Sequence, residues 1–516
     1  MKPLQSLEIA LMLTACLYVQ ITFAQNSKIE SYLYKIGKAR QLNGNILMAR
    51  NERVITNRAF GYADFESQKP NNTDLHFNLA SVSKLFTSTA ILQLRDKMKL
   101  SLDDHLIKYF PDFPFADVTV RHLLTHTSGL PDLELFENII QKYPDTVITN
   151  KNIIPELKKW SRGLNFKPGD QYQYCNTGYC LLALVVESVV KMPFEKYLKQ
   201  YIFQPAAMNN TYVSIYPGHT YNQDKNCVKM HAQPHPYYDT TYLYVDSLSR
   251  FKYTNYNCSG TIGESNIITT TGDLLNFDRA FFGGKLIKPT TMEEAFTPLK
   301  LNNGEMWYGS MDTMLGDGKM TVGLGWDIFE QPGYGRSVGH GGYKFGLATF
   351  YFHQLENIQT IIAFDNTAGS EFGRVVTSAF YLLNGIEPFA IRNHHSLAFV
   401  YGSTLVKQGP DAAAAIFNAS KSDTAHYYLS EWEFNQLGGN LLYGSSFEGH
   451  KDLALEVFKI NTLLFPGSFN TYDSYGAGLR EIGKKQQAIM MYQKSIALNP
   501  NNEDGKMALK ELLDSK

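Results

Sequence analysis

Hydrophobic positions follow two alternating patterns between residues 29 and 390. Short β-rich runs, Gly44-Asn45-Ile46-Leu47-Met48, Ala348-Thr349-Phe350-Tyr351-Phe352 and Thr360-Ile361-Ile362-Ala363-Phe364, predict strands. The stretches Lys84 to Leu94 and Gly178 to Val190 place apolar residues at helical spacing. This region is therefore expected to mix α and β structure. Near residues 383 to 396, Leu383-Asn384-Gly385-Ile386-Glu387-Pro388 and the polar Arg392-Asn393-His394-His395-Ser396 read as a linker, beyond which strand signals fade.

The text after the linker repeats. Gly449, Ala454, Phe458 and Pro466 recur 34 residues later as Gly483, Ala488, Tyr492 and Pro500, the period of the tetratricopeptide helical hairpin. Gly makes the turn, Ala lets two helices approach, the aromatic fills the groove, and Pro ends the second helix. Tyr472 to Pro500 is the better copy, and Gly409 with Ala414 marks a third, degraded one. Stacked hairpins offer a concave surface to a peptide or a neighbouring domain, so a protein partner is expected there. The alternative is two amphipathic hairpins without superhelical stacking.

The first 24 residues carry Lys2, an apolar run from Ile9 to Val19 and small residues at Thr22 and Ala24, the pattern of an export signal cleaved after Ala24. Leu13-Thr14-Ala15-Cys16 leaves open a lipoprotein box, with Cys16 lipidated. No later stretch approaches 18 apolar residues, so no transmembrane span is expected in the mature chain. The predicted domains are 1–24 (signal), 25–390 and 391–516, and the expected location is periplasmic or secreted. In the 516 residues, 48 Lys and Arg against 49 Asp and Glu leave a net charge of −1. With no basic block, nucleic acid is excluded as an expected partner. Hydrophobic residues at 44% exclude global disorder.

Candidate chemistry begins at Ser81-Val82-Ser83-Lys84, where a polar loop gives way to an apolar-periodic helix. Residues three apart share a helical face, so the Ser81 hydroxyl and the Lys84 amine can meet. A serine hydroxyl is a weak nucleophile until a base takes its proton, and a lysine serves as that base when burial or neighbouring positive charge lowers its pKa. Tyr174-Cys175-Asn176 lies between the turn Phe166-Lys167-Pro168-Gly169-Asp170 and the helix that opens at Gly178. Such a turn can aim Tyr174 and Asn176 into one cleft. His340-Gly341-Gly342 precedes a β-rich run, and its glycines would let an edge strand approach a bound acyl group. Ser188-Val189-Val190-Lys191 and Tyr253-Thr254-Asn255 fit the first two patterns but lack this context.

The ordered trio Ser81-x-x-Lys84, Tyr174-x-Asn176 and His340-x-Gly342 resembles the serine β-lactamase and penicillin-binding superfamily, in its class C-like branch with D-aminopeptidases, D,D-carboxypeptidases and esterases. Leu123-Leu124-Thr125-His126-Thr127-Ser128-Gly129-Leu130 and Gly323-Leu324-Gly325-Trp326 are similar to two further segments of that family. The resemblance covers about residues 29 to 385. It implies an α/β (α+β) fold, a β-lactamase/transpeptidase-like sheet flanked by helices, here followed by a C-terminal all-α helical-repeat module.

The resemblance also implies roles. Ser81 would be acylated, Lys84 would accept its proton, and Tyr174 would pass a proton to the leaving group and later activate water. Asn176 would hold the substrate amide or the Lys84 amine, and the backbone N–H groups of Ser81 and Tyr343 would form the oxyanion hole beside His340 and Gly342. The β-lactam-hydrolysing branch begins its third motif with Lys, a fixed cation suited to a substrate carboxylate. This chain has His340, whose charge near neutral pH is partial. That difference shifts the expected substrates toward esters, then D-amino-acid peptides, then β-lactams. No cofactor or metal is implied.

Three further groups are read as structural. His126 lies in a polar loop with no visible titrating partner. His219, Cys227, His231 and His235 have metal-binding residue types, but Pro234 and Pro236 break the helix a shared face would need. Cys227 and Cys258 are candidates for a disulfide that export would permit.

Overall fold

The computed structural model describes residues 25–216, 223–310, 318–391, 395–444 and 450–514. The proposed signal and Cys16, together with His219, Arg392 to His394 and Gly449, lie outside the described residues. The chain forms two compact units, one of residues 1–232 and 243–391 and one of residues 233–242 and 392–516. The second unit thus takes in Gln233–Tyr242, a stretch with no strand or helix pattern to set it apart from its flanks.

In the first unit, eight strands form one antiparallel sheet: β1 (Gly44–Arg50), β2 (Arg53–Ala59), β3 (Gly309–Ser310), β4 (Lys319–Val322), β5 (Asp327–Gln331), β6 (Gly335–Lys344), β7 (Leu347–Gln354) and β8 (Gln359–Asp365). Their spatial order is β3-β4-β5-β6-β7-β8-β1-β2. All three predicted β-rich runs are strands, and all are interior strands of this sheet. Side chains alternate between two cores. Ile46, Met48, Phe350, Phe352, Ile361 and Ala363 face a helix over 25–38 and α4 (Phe372–Leu383). Leu47, Ala49, Tyr351, Ile362 and Phe364 face the larger core that contains α1 (Lys84–Asp96), α2 (Asn176–Val190) and α3 (Thr271–Phe282). Covering on both faces explains why these strands read as apolar runs rather than as an alternation.

Strand β6 departs from the expected edge strand. It is an interior strand, paired with β7 at residues 337 to 344 and with β5 at residues 335 to 339. Beyond Gly339 no β5 residue pairs with it, so its last five residues form a local edge. The Gly323-Leu324-Gly325-Trp326 run leads into β5 through a narrow passage. At Gly325 (φ +86°) a Cβ would stand 2.6 Å from the Ser88 side chain, and at Gly323 one would stand 2.0 Å from the Ala295 carbonyl oxygen.

The described part of the second unit is built from α5 (Leu397–Gln408), α6 (Pro410–Ser420), α7 (Glu431–Tyr443), α8 (His450–Leu464), α9 (Phe469–Glu481), α10 (Lys485–Leu498) and α11 (Glu503–Asp514). Its one ladder is a two-residue parallel pairing of His395–Ser396 with Tyr427–Tyr428. Ala454 and Ala488 are fully buried, and Phe458 and Tyr492 nearly so. The ring of Phe458 fills the space beside Gly438 and Gly478, and the ring of Tyr492 packs on Gly476. These are the small-residue and aromatic positions singled out by the 34-residue spacing. Gly483 (φ +78°) makes the turn between α9 and α10, and Gly409 (φ +89°) the turn between α5 and α6.

Among the described residues no single helix is long and apolar enough to cross a membrane. Cys227 and Cys258 are free thiols, so the candidate disulfide is not formed. His231 lies on a short strand, not a helix, and no group of three or more His, Cys, Asp or Glu side chains is placed to hold a metal ion among the described residues.

Candidate active site

The first two motifs meet at the start of α1. Ser81 sits in a 3₁₀ turn, Ala80–Ser83, that runs into the helix at Lys84. The turn is entered through Ala80 in the left-handed region (φ +45°), with its N–H donated 2.8 Å to Asn78 Oδ1. A left-handed alanine costs energy and persists where its surroundings enforce it, commonly at functional sites. Lys84 is fully buried. Its Nζ lies 3.1 Å from Ser81 Oγ, 2.8 Å from Asn176 Oδ1 and 3.0 Å from the Glu264 carbonyl oxygen. Burial drives the Lys84 pKa below the usual 10.5, with the charges of Glu264 and Asp132 opposing it.

Tyr174 stands over this group. The Lys84 Nζ is 4.9 Å from the centre of its ring. Desolvation in the cleft pushes the phenol pKa well above 10.0, and a hydrogen bond with Ser81 pulls it back. His126, expected only to be structural, stacks on the Tyr174 ring at 4.4 Å between centroids. Its Nδ1 accepts the Cys175 N–H at 3.0 Å. Burial and the nearby Lys84 charge hold its pKa well below 6.5. The imidazole is therefore a neutral plate fixing the height of Tyr174.

Asn176 opens α2, and its orientation comes from a residue the sequence reading missed. Asp132 Oδ1 accepts the backbone N–H groups of Asn176 (2.6 Å) and Thr177 (3.0 Å), and Asp132 Oδ2 accepts Asn176 Nδ2 (2.9 Å). One carboxylate thus caps the helix from 44 residues upstream and turns the amide so that its oxygen faces Lys84. The only textual signal is its place two residues after the Leu123-to-Leu130 segment.

The third motif reaches the same point from β6. At Gly342 a Cβ would stand 2.3 Å from Thr349 Oγ1, 2.5 Å from the Leu79 carbonyl oxygen and 3.1 Å from Ser81 N. Any side chain there would push the strand off the Ser81 turn. His340 is buried, with its ring centre 6.2 Å from that of Tyr174. Burial lowers its pKa below 6.5, and the charge of Asp327 partly restores it. Asp327, at the start of β5, is a second unpredicted member. Its pKa is raised by burial, against the pull of His340 and Lys84. Tyr343 is 64% exposed at the cleft mouth.

Ser81, Tyr174, Asn176, His340, Gly342 and Tyr343 line one cavity of about 710 Å³, with Lys84 bonded beneath it. The two sequence decoys part company. Ser188 and Lys191 mark the end of α2, where Lys191 takes a left-handed cap. Thr254 and Asn255, in contrast, line the cavity. A hydroxyl, a buried amine and a phenol in mutual reach, beside a glycine strand that approaches the hydroxyl's own turn, form an arrangement suited to acyl transfer.

Known proteins carry the same arrangement of elements. Penicillin-binding protein 4* of Bacillus subtilis is 32% identical over 344 residues, covering 66% of this chain and 71% of the relative. A penicillin-binding protein from Bacillus halodurans shares the fold with a TM-score of 0.56 at 24% identity, covering 68% of this chain and 99% of that one. The D-amino acid amidase of Ochrobactrum anthropi does so with a TM-score of 0.56 at 22% identity, over 70% and 99%. Residues 35–379, which supply every member of the cluster just described, match the family described as Beta-lactamase, and the chain belongs to that family.

Proposed function

We propose that the first unit is a serine hydrolase that cleaves ester or amide bonds through an acyl-enzyme on Ser81. The observation that carries this reading is the hydrogen-bonding of Lys84. A neutral amine has two N–H donors and one lone pair. Asn176 Oδ1 and the Glu264 carbonyl take the two donors, which leaves the lone pair for the Ser81 O–H at 3.1 Å. Burial favours that neutral form.

In this mechanism Lys84 takes the proton as Ser81 Oγ attacks the carbonyl carbon. The backbone N–H groups of Ser81 and Tyr343 hold the oxyanion, because Gly342 permits the strand's approach. Tyr174, protonated at neutral pH, relays the proton to the leaving group and later serves the hydrolytic water. Asn176 and His340 border the substrate. No cofactor or metal takes part. Carboxylic esters are the first expected substrates, then D-amino-acid peptides, in keeping with a D-amino acid amidase of the same fold, then β-lactams. The protein acts after export, and its 34-residue helical repeats recruit a peptide or protein partner.

A fluorophosphonate probe and a fluorescent penicillin test the reading, alongside a screen of p-nitrophenyl esters, a chromogenic cephalosporin and D-alanyl peptides. Label that disappears in Ser81→Ala, with turnover crippled in Tyr174→Phe, is the expected result. No label with any probe would assign the chain instead to a hydrolase-like binding protein.

A further inference from the structure

Strand β6 brings a second charged side chain to the cleft. Alternate strand residues share a face, and Gly342 faces the Ser81 turn. His340 and Lys344, two positions to either side, therefore project onto that same face, about 13 Å apart along the strand. Both line the cavity that contains Ser81. The two ends differ electrically. At one, the buried imidazole of His340 is held toward its neutral form beside Asp327. At the other stands an ammonium.

The Lys344 ammonium is not fully used. Its Nζ donates 2.8 Å to Asn266 Oδ1, whereas an ammonium carries three donors. The charged and titratable groups around it are Glu264, Lys84, Asp246 and Cys258. The facing carboxylate, Glu264, accepts the hydroxyls of Thr261 (2.8 Å) and Ser265 (2.6 Å) through Oε1. Asn255, lining the same cavity, adds an amide Nδ2 that has no acceptor. Tyr343 and Phe345, with Phe251 stacked on Phe345 at 4.1 Å, give this end an apolar wall. A low-dielectric pocket with unfilled donors suits an anion that brings its own acceptor oxygens.

We propose that Lys344 is the anion-recognising residue of this site and that the preferred substrates carry a carboxylate, bound at the Lys344 end of β6, away from His340. The proposal rests on the acyl-transfer reading of Ser81. It places the cation four residues beyond the third motif's first position. Burial also lowers the Lys344 pKa in the free protein, so an arriving carboxylate would stabilise the charged form.

The test compares two matched pairs of p-nitrophenyl and alkyl esters, neutral against carboxylated, with the carboxylate on the acyl chain in one pair and on the leaving group in the other. Wild type, Lys344→Gln and Lys344→Arg are assayed for kcat/KM after a melting check. Wild type should favour the carboxylated member of one pair. Lys344→Gln should lose about tenfold to a hundredfold on that member relative to its neutral partner, and Lys344→Arg should retain the preference. Should Lys344→Gln fail to fold, competitive inhibition of wild type by a free dicarboxylate, retained in Lys344→Arg and weakened in Asn255→Ala, reads the same contact. Turnover of neutral esters with no preference in either pair, or an equal loss on both members, overturns the proposal alone. No turnover and no Ser81 label would bring down the acyl-transfer reading with it.

Discussion

The two units bury different chemistry. In the first, Lys84, His126, His340, Asp278 and Asp365 are buried, and the non-glycine residues Ala80, His126 and Ala368 adopt left-handed backbone. In the second, the buried polar residues among those described are uncharged, such as Asn435, Asn461 and Ser495. There the left-handed positions among the described residues are glycines, Gly409 and Gly483. Desolvated titratable groups and strained backbone cost stability, and a protein keeps them where they do something. Apolar hairpins need neither. The contrast separates a unit that buries titratable side chains from one whose described buried polar residues are all uncharged.

Substitutions can break that contrast or sharpen it. Lys84→Met should abolish the proton acceptor and lower ester kcat by about 10² to 10⁴, read by steady-state kinetics while the melting temperature shows the fold intact. Phe458→Ala, which empties the groove beside Gly438 and Gly478, should destabilise the helical unit by about 3–5 kcal/mol, measured by denaturant titration followed through helical circular dichroism. An ester kcat that fell as far in Phe458→Ala as in Lys84→Met would erase the distinction between the units.

Gly342→Ala drives a Cβ into Leu79 O and Thr349 Oγ1. It should cost about a hundredfold in kcat, because a displacement near 1 Å suffices for that, and acylation kinetics would detect it. The pH profile of kcat/KM gives a smaller effect. Activity requires neutral Lys84, so the rate should fall about tenfold per pH unit below the Lys84 pKa, with the limb lying below 10.5. A limb at or above 10.5 would mean that burial is not tuning the amine. Smallest of all, Gly439→Ala in α7 meets nothing within 4 Å. It should stabilise the helical unit by about 0.5–1 kcal/mol, with ester turnover unchanged.

The parts of the site that were legible in the sequence are those whose geometry is local. Ser81 and Lys84 share a helical face because of their spacing, and Gly342 announces a close approach through its missing side chain. Asp132 and Asp327 were not legible. Each acts on a partner that the fold brings from elsewhere, Asp132 on Asn176 across 44 positions, and a lone carboxylate in a loop or at a strand start has no pattern of its own. His126 was visible as a residue but not as a plate under Tyr174, because ring stacking leaves no periodicity in the text. The decoy Tyr253-Thr254-Asn255 does not supply the motif, as its context implied, yet Thr254 and Asn255 line the same cavity, a placement its context did not signal. The sheet itself was readable because burial on both faces produces unbroken apolar runs, while the edge-like end of β6 depends on where β5 stops pairing.

The pairing of β1 with β8 joins Gly44 to Asp365, one of the earliest parts of the chain to one of the latest in this unit. During synthesis the first strand pairs at once with β2 but leaves the ribosome about three hundred residues before its other neighbour, β8, exists. A nascent chain stalled anywhere short of β8 therefore lacks the strand that joins β1 and β2 to the rest of the sheet.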